Sequence, residues 1–335
     1  MAMLIARPGI FTTVQDRGRT GNRQYGVVVS GAMDDLSLRL GNWLVGNEGG
    51  TGALEMTMTG ASVQFDEPVF VAFTGAEANI ECKGKSIPMW RPVYIPPRSE
   101  VHVKRLIQGS RIYLSIAGGI NVPKVLGSRS TYTRGQFGGF EGRALKKGDN
   151  LPIGHPGEAV QAVMDTISKA NDRVLAMNWG ISASVYQSLK NTRLRCVEGS
   201  EYSYFIAASQ QDFWRTPYKI TPESDRMGFR LDGARLEMNE SKEMISEAVA
   251  IGTIQVPASG QPIILMADRQ TTGGYPKIAN VTTVDIPSLA QKIPGAEVYF
   301  QYATLEEAQQ LYIQREYELQ MIRAVIQLKW RKEKG

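Results

Sequence analysis

Glycine and proline cut almost every apolar run in this chain short. The 34 glycines and 16 prolines are spread through all 335 residues rather than gathered in one linker. Between them lie brief stretches rich in Val, Ile, Phe and Tyr, at 69–73, 101–106, 111–117 and 263–266. Runs of this length between breakers read as strands. At 101–104 (Val-His-Val-Lys) and 111–116 (Arg-Ile-Tyr-Leu-Ser-Ile) apolar and polar residues largely alternate, as on a sheet with one wet face. Many short strands predict a mainly β protein of the barrel or sandwich kind.

Helical signals are few. Asp34 or Asp35 is placed to cap a helix through Leu36, Leu40 and Leu44 that ends near Gly46, and 286–292 reads as a short helix. The clearest signal is C-terminal. Thr304 and Glu307 form a T-x-x-E capping box, and Leu305, Ala308, Leu311, Tyr312, Leu319, Ile322 and Ile326 follow at three-to-four spacing. A polar, Gly/Pro-marked stretch at 149–169 predicts a boundary between two β-rich units, 1–155 and 156–335, the second carrying the terminal helix.

Composition excludes several classes. Apolar residues are 42% and charged residues 21%, enough for a full core. No run approaches the ~18–20 apolar residues of a membrane span, and the first seven residues do not read as a leader, so the expectation is a cytoplasmic protein with no membrane partner. Two distant cysteines argue against a disulfide framework or a four-ligand zinc site. A net charge of +5 without a concentrated basic stripe argues against nucleic acid. A small anion needs only one basic pocket.

Two stretches are dense in groups that bind anions. The first runs Asp268-Arg269-Gln270-Thr271-Thr272-Gly273-Gly274-Tyr275-Pro276-Lys277 after the apolar run 263–266. Arg269 offers a planar fork, Lys277 a point charge, and the glycines close backbone approach. The plainer alternative is a tight turn held by a polar network around Asp268 and Arg269. The second, 127–143, holds Arg129, Ser130, Arg134 and Arg143 among glycines whose amides could form an anion nest; its alternative is a surface loop. Arg226 sits in a third loop, Ser224-Asp225-Arg226-Met227-Gly228. Asp-Arg pairs at 16–17, 225–226 and 268–269 hint at reused loop chemistry. Ser30–Asp35 reads as a helix start, and Glu55 and Glu77 as candidate buried carboxylates. No G-x-x-x-x-G-K-[ST] or G-x-G-x-x-G loop occurs, and two histidines do not make a triad or a metal site.

Taken in order, Pro8-Gly9, Thr12-Thr13-Val14-Gln15-Asp16, Ser30-Gly31-Ala32-Met33-Asp34, Thr74-Gly75-Ala76, Ala117-Gly118-Gly119-Ile120, Leu126-Gly127-Ser128-Arg129-Ser130-Thr131, Ser224-Asp225-Arg226-Met227-Gly228 and 260–279 resemble the biotin-dependent carboxyltransferase family, also called the allophanate hydrolase subunit 2 family. The resemblance covers about residues 5–300. It implies cyclophilin-like β-barrel subdomains. It also implies the C-type role in a three-part 5-oxoprolinase, alongside a KipI-like B-type partner and an A-type partner. Such an assembly opens 5-oxoproline (pyroglutamate) to L-glutamate coupled to ATP hydrolysis, a Mg ion accompanying the nucleotide. Two other roles lie within the same resemblance: a KipA-type regulator that antagonises a KipI-like histidine-kinase inhibitor in sporulation, and carboxyl transfer from carboxybiotin to a urea-like amide. No A-M-K-M biotin-carrier motif occurs, so covalent biotin is not expected on this chain. Arg269, Lys277 and Asp268 are the expected catalytic groups. Arg129, Ser130, Arg226, Gln270, Thr271, Thr272, Gly273, Gly274 and Tyr275 are expected to hold substrate carboxylate and transferred phosphoryl.

Overall fold

The breaker-bounded runs fold as strands, and more continuously than their spacing suggests. The computed structural model describes residues 1–170, 172–182, 185, 191–240 and 244–334. Two units emerge: one from Met1–Arg19, Asp34–Tyr186 and Leu319–Gly335, the other from Thr20–Met33 and Gln187–Glu318. This division differs from the expected 155/156 boundary. Residues 156–186 fall in the first unit, and two segments, 20–33 and 319–335, group with the unit remote from them in sequence. The polar stretch that suggested a linker includes a helix, Glu158–Ala170, whose Val160, Val163 and Met164 are buried at helical spacing.

The first unit is a ten-stranded sheet built on one long antiparallel pair, Val69–Cys82 and Ser99–Ile116. The two runs 101–106 and 111–117 therefore form one strand. Gly109, at φ 90°, bends it, and register shifts between Gly75 and Ile80 on the partner strand absorb the irregularity. The alternation at 99–103 is a half-buried face, as expected. Residues 110–116 are instead buried throughout, because the helix Asp35–Leu44 packs on both long strands there. Asp34 caps that helix, its carboxylate accepting from the Ser37 amide at 2.9 Å. Glu55 is fully buried and accepts from the Tyr113 hydroxyl at 2.6 Å, whereas Glu77 is exposed. Burial, with Glu55 and Asp34 beside it, holds the Tyr113 hydroxyl well above its usual pKa.

The second unit contains a closed seven-stranded barrel. Its order is Arg193–Glu198, Lys277–Val281, Thr253–Gln255, Ile263–Leu265, Gly228–Asp232, Tyr218–Ile220 and Glu297–Tyr302. Leu194, Cys196, Phe229, Ile254, Ile264, Ile278 and Val298 belong to its core. A helix not anticipated, Ala207–Arg215, stacks Phe213 on Phe300 with ring centroids 4.6 Å apart. The expected short helix is Ile286–Ala290.

The C-terminal helix runs Leu305–Lys334 and starts at the expected capping box: the Thr304 amide donates to Glu307 at 2.9 Å and the Glu307 amide to Thr304 Oγ1 at 3.1 Å. Its burial is narrower than its periodicity implied, resting on Leu319, Ile326 and Trp330. Ile313, Tyr317, Met321, Val325 and Leu328 are exposed. No helix among the described residues is long and apolar enough to cross a membrane.

Candidate functional site

The segment that follows the barrel strand Ile263–Leu265 divides its charged residues between separate partners. The chain turns at 267–268, and the Arg269 amide closes the turn on the Met266 carbonyl at 3.2 Å. Asp268 is buried and paired with Arg226: Nε lies 2.9 Å from Oδ2 and Nη2 3.0 Å from Oδ1. The Ser30 hydroxyl donates to the same carboxylate at 2.7 Å, and Arg226 Nη2 also donates to the Gly31 carbonyl at 2.5 Å. This bidentate pair joins three loops of the second unit, with both charges balanced internally.

Arg269 points elsewhere. It is 8% exposed, and its Nε and Nη1 donate to the carbonyls of Val249 and Met266 at 3.4 and 3.2 Å. The Val249 carbonyl also accepts from Nη2 of Arg23, a half-buried residue of the turn Arg23–Tyr25. Two guanidinium groups thus converge on one carbonyl, and neither pairs with a carboxylate among the described residues. Burial, with Arg23 beside it, pushes Arg269 down to about 10.

Lys277 opens the strand Lys277–Val281. Its ammonium sits 2.8 Å from Glu247 and 3.4 Å from Glu201, and its amide donates to Glu201 at 2.9 Å. Burial pulls its pKa down, but Glu247 and Glu201 outweigh that and the net direction is up. Lys277 is therefore a neutralised cation. Thr272 and Gly273 pair with Glu247 and Ala248 in a two-stranded ladder. A Cβ on Gly273 would lie 2.4 Å from Gln255 Nε2 and 3.2 Å from Gln270 Nε2, so a side chain there would displace the amide end of Gln255. The buried Gln255 Nε2 has no hydrogen-bond partner. Gln270, Thr272 and Tyr275 are exposed and Thr271 and Gly274 half-buried. Gly274, Tyr275 and Pro276 border a cleft of 670 Å³ with Arg235, Met244 and Val256, and Tyr275 also edges a neighbouring cleft of 610 Å³. Neither Arg269 nor Lys277 lines either cleft.

In the first unit, the Asp16 carboxylate gathers two hydroxyls and one amide of the Arg-rich loop. Its Oδ1 accepts from Ser128 Oγ at 2.6 Å, Ser130 Oγ at 2.5 Å and the Gly18 amide at 2.8 Å, and its Oδ2 accepts from the Arg129 amide at 2.6 Å. The loop's own protein supplies the anion that the glycine-rich pattern suggested. The Arg129 side chain donates to the Val122 carbonyl at 2.9 Å and to Asn121 at 2.7 Å. Asp225 repeats part of this chemistry, accepting from the Met227 amide at 2.8 Å. Asp16→Asn is expected to cost about 1.5–3 kcal/mol, because an NH₂ would replace an acceptor of charge-assisted bonds; a lowered urea midpoint measures it, and an unchanged midpoint refutes it.

Of the expected residues, Asp268, Arg269, Arg226 and Lys277 belong to one unit, and Arg129 and Ser130 to the other. Sequence reasoning does not find Arg23, Glu201, Glu247 or Gln255. They lie outside 266–277, and a lone Arg in a Gly21–Gly26 turn carries no distinguishing pattern. Among the described residues no group of three or more His, Cys, Asp or Glu side chains is arranged to hold a metal.

Fold and loops together define a mainly β scaffold whose polar residues sit on turns leaving a closed barrel. The chain belongs to the carboxyltransferase domain family: the family described as carboxyltransferase domain, subdomain A and B, matches residues 25–302. It is 40% identical to the C-type subunit of 5-oxoprolinase from Escherichia coli over 91% of this chain and 92% of that protein. It is 31% identical to urea amidolyase of Saccharomyces cerevisiae over 92% of this chain, which corresponds to 17% of that much longer protein. Its fold is similar to the K. lactis urea amidolyase structure, with a TM-score of 0.80 and 28% identity over 94% of this chain and 19% of that one. It is also similar to the structure of TTHA0988, at a TM-score of 0.74 and 30% identity over 90% of this chain and 55% of that one.

Proposed function

We propose that this chain is the C-type subunit of an ATP-dependent 5-oxoprolinase, opening 5-oxoproline to L-glutamate together with a KipI-like B-type subunit and an A-type subunit. The observation that carries this reading is the end-to-end similarity to the C-type 5-oxoprolinase subunit, which leaves no large part of either chain unmatched. The chemistry available is consistent with it. 5-Oxoproline presents a carboxylate and an unstrained lactam, and ATP supplies phosphoryl activation of the lactam oxygen. What the protein must contribute is positioning and charge stabilisation. Arg269 and Arg23 bring cationic donors, the Gln255 amide a buried N–H, and the Arg226–Asp268 pair fixes the turn that carries Arg269. Exposed apolar side chains along the terminal helix favour assembly with other subunits.

The test is ATP-dependent 5-oxoproline turnover by the reconstituted three-subunit complex. Loss of one charge-assisted contact of about 1.5–3 kcal/mol lowers a rate roughly 10- to 100-fold, which is the expected effect of Arg269→Ala on kcat/KM. No turnover by the wild-type complex would end this reading. The similarity to urea amidolyase supports a second one, carboxyl transfer to a urea-like amide, which carboxylation from free carboxybiotin would reveal.

A further inference from the structure

We infer that Arg23 and Arg269 form a binding site for a doubly charged oxyanion of the phosphoryl class. Three observations converge on it. Arg269 is more than nine-tenths buried, and only two of the five N–H donors of its guanidinium are spent, on the Val249 and Met266 carbonyls. Arg23 brings a second guanidinium to the same Val249 carbonyl. No described carboxylate neutralises either one, although the same unit gives its other two buried cations of this region counter-charges: Arg226 has Asp268, and Lys277 has Glu247 and Glu201. Two like charges gathered around one carbonyl repel, and burial sharpens the repulsion. An arrangement of this kind is stable with an anion between the forks.

The charge count selects the class. A phosphoryl group carries close to two negative charges at neutral pH and neutralises both guanidiniums, whereas a monocarboxylate leaves one unbalanced. Arginine also suits the ligand better than lysine would, since its planar fork engages two oxygens at once. Arg23 is half-buried on an exposed turn beginning at Gly21, so the outer of the two guanidiniums is reachable from solvent. The inference rests on the proposed function only for the biological source of the phosphoryl group; the site itself stands on the geometry.

Inorganic phosphate is the probe, titrated into the purified full chain and followed by calorimetry, with 5-oxoproline as the monoanionic arm. The chain is expected to bind phosphate saturably and more tightly than 5-oxoproline. Arg23→Gln is expected to weaken phosphate at least tenfold. This variant is preferred because Arg269→Ala empties a buried site and removes one of the two donors on each of the Val249 and Met266 carbonyls; Arg269→Lys serves as the second variant, expected to weaken phosphate while circular dichroism stays native. Equal phosphate affinity in wild type and Arg23→Gln, or no saturable phosphate binding by wild type, overturns the site. Tighter binding of 5-oxoproline than of phosphate overturns the assigned class. Turnover by the reconstituted complex without phosphate binding sinks this inference alone; phosphate binding without turnover sinks the functional reading alone.

Discussion

Asp268→Ala is expected to cost about 3–5 kcal/mol of folding stability, because it leaves the buried Arg226 guanidinium without its carboxylate. The pair is bidentate at 2.9 and 3.0 Å, and both residues are less than a tenth exposed. Asp268 also accepts from Ser30, so the substitution removes the acceptor that joins the 30–31 segment to the 226 and 268 turns. Against a typical total of about 5–15 kcal/mol, such a loss is severe. The urea midpoint reports it, provided the slope is unchanged. The double variant Asp268→Leu/Arg226→Met is expected to recover a large part, since no lone charge then remains buried. A single variant within about 1 kcal/mol of wild type would show the pair to be dispensable. A stable single variant that has lost turnover would move Asp268 from positioning to direct chemistry.

Trp330→Ala is the second large effect, at about 3–5 kcal/mol. Trp330 sits near the end of the terminal helix and is almost fully buried in the first unit. Its ring meets Phe70 edge-on at 5.0 Å and Trp179 at 5.4 Å, and its Nε1 donates to the Leu44 carbonyl at 3.0 Å. Truncation opens a cavity among rigid aromatics and strips a helix-end carbonyl of its donor. Only two further side chains of that helix, Leu319 and Ile326, are buried, so little else compensates. Trp330→Phe keeps most of the volume and is expected to retain much of the stability, with the residual loss reporting the hydrogen bond. A Trp330→Ala midpoint equal to wild type would mean that the helix end contributes no stability.

The class of the fold was legible because strand formation here is local. Breakers at short intervals, β-branched residues between them, and a T-x-x-E box before an amphipathic run act within a few residues of themselves. Local pattern failed where a distant element changed the environment. Residues 111–116 alternate as if one face were wet, but the helix Asp35–Leu44 covers that face. Gly109 reads as a break, yet its long partner strand carries the sheet through it. Residues 158–170 read as linker because their polar face is the more conspicuous one, while Val160, Val163 and Met164 pack inward.

For the site, residue order alone reveals which loops are rich in charge, and it ranks the stretch from Asp268 to Lys277 first. It reveals family membership too, through many short motifs kept in one order. How those charges are spent emerges on folding. Asp268 neutralises Arg226 across 42 residues, Lys277 is neutralised by Glu201 and Glu247, and Asp16 takes the Arg129 amide and the Ser128 and Ser130 hydroxyls. Arg269 is left to meet Arg23. A charge is visible in a string of residues, but its effect depends on the nearest opposite charge and on the solvent it has lost. Both are set by groups that folding brings from far along the chain.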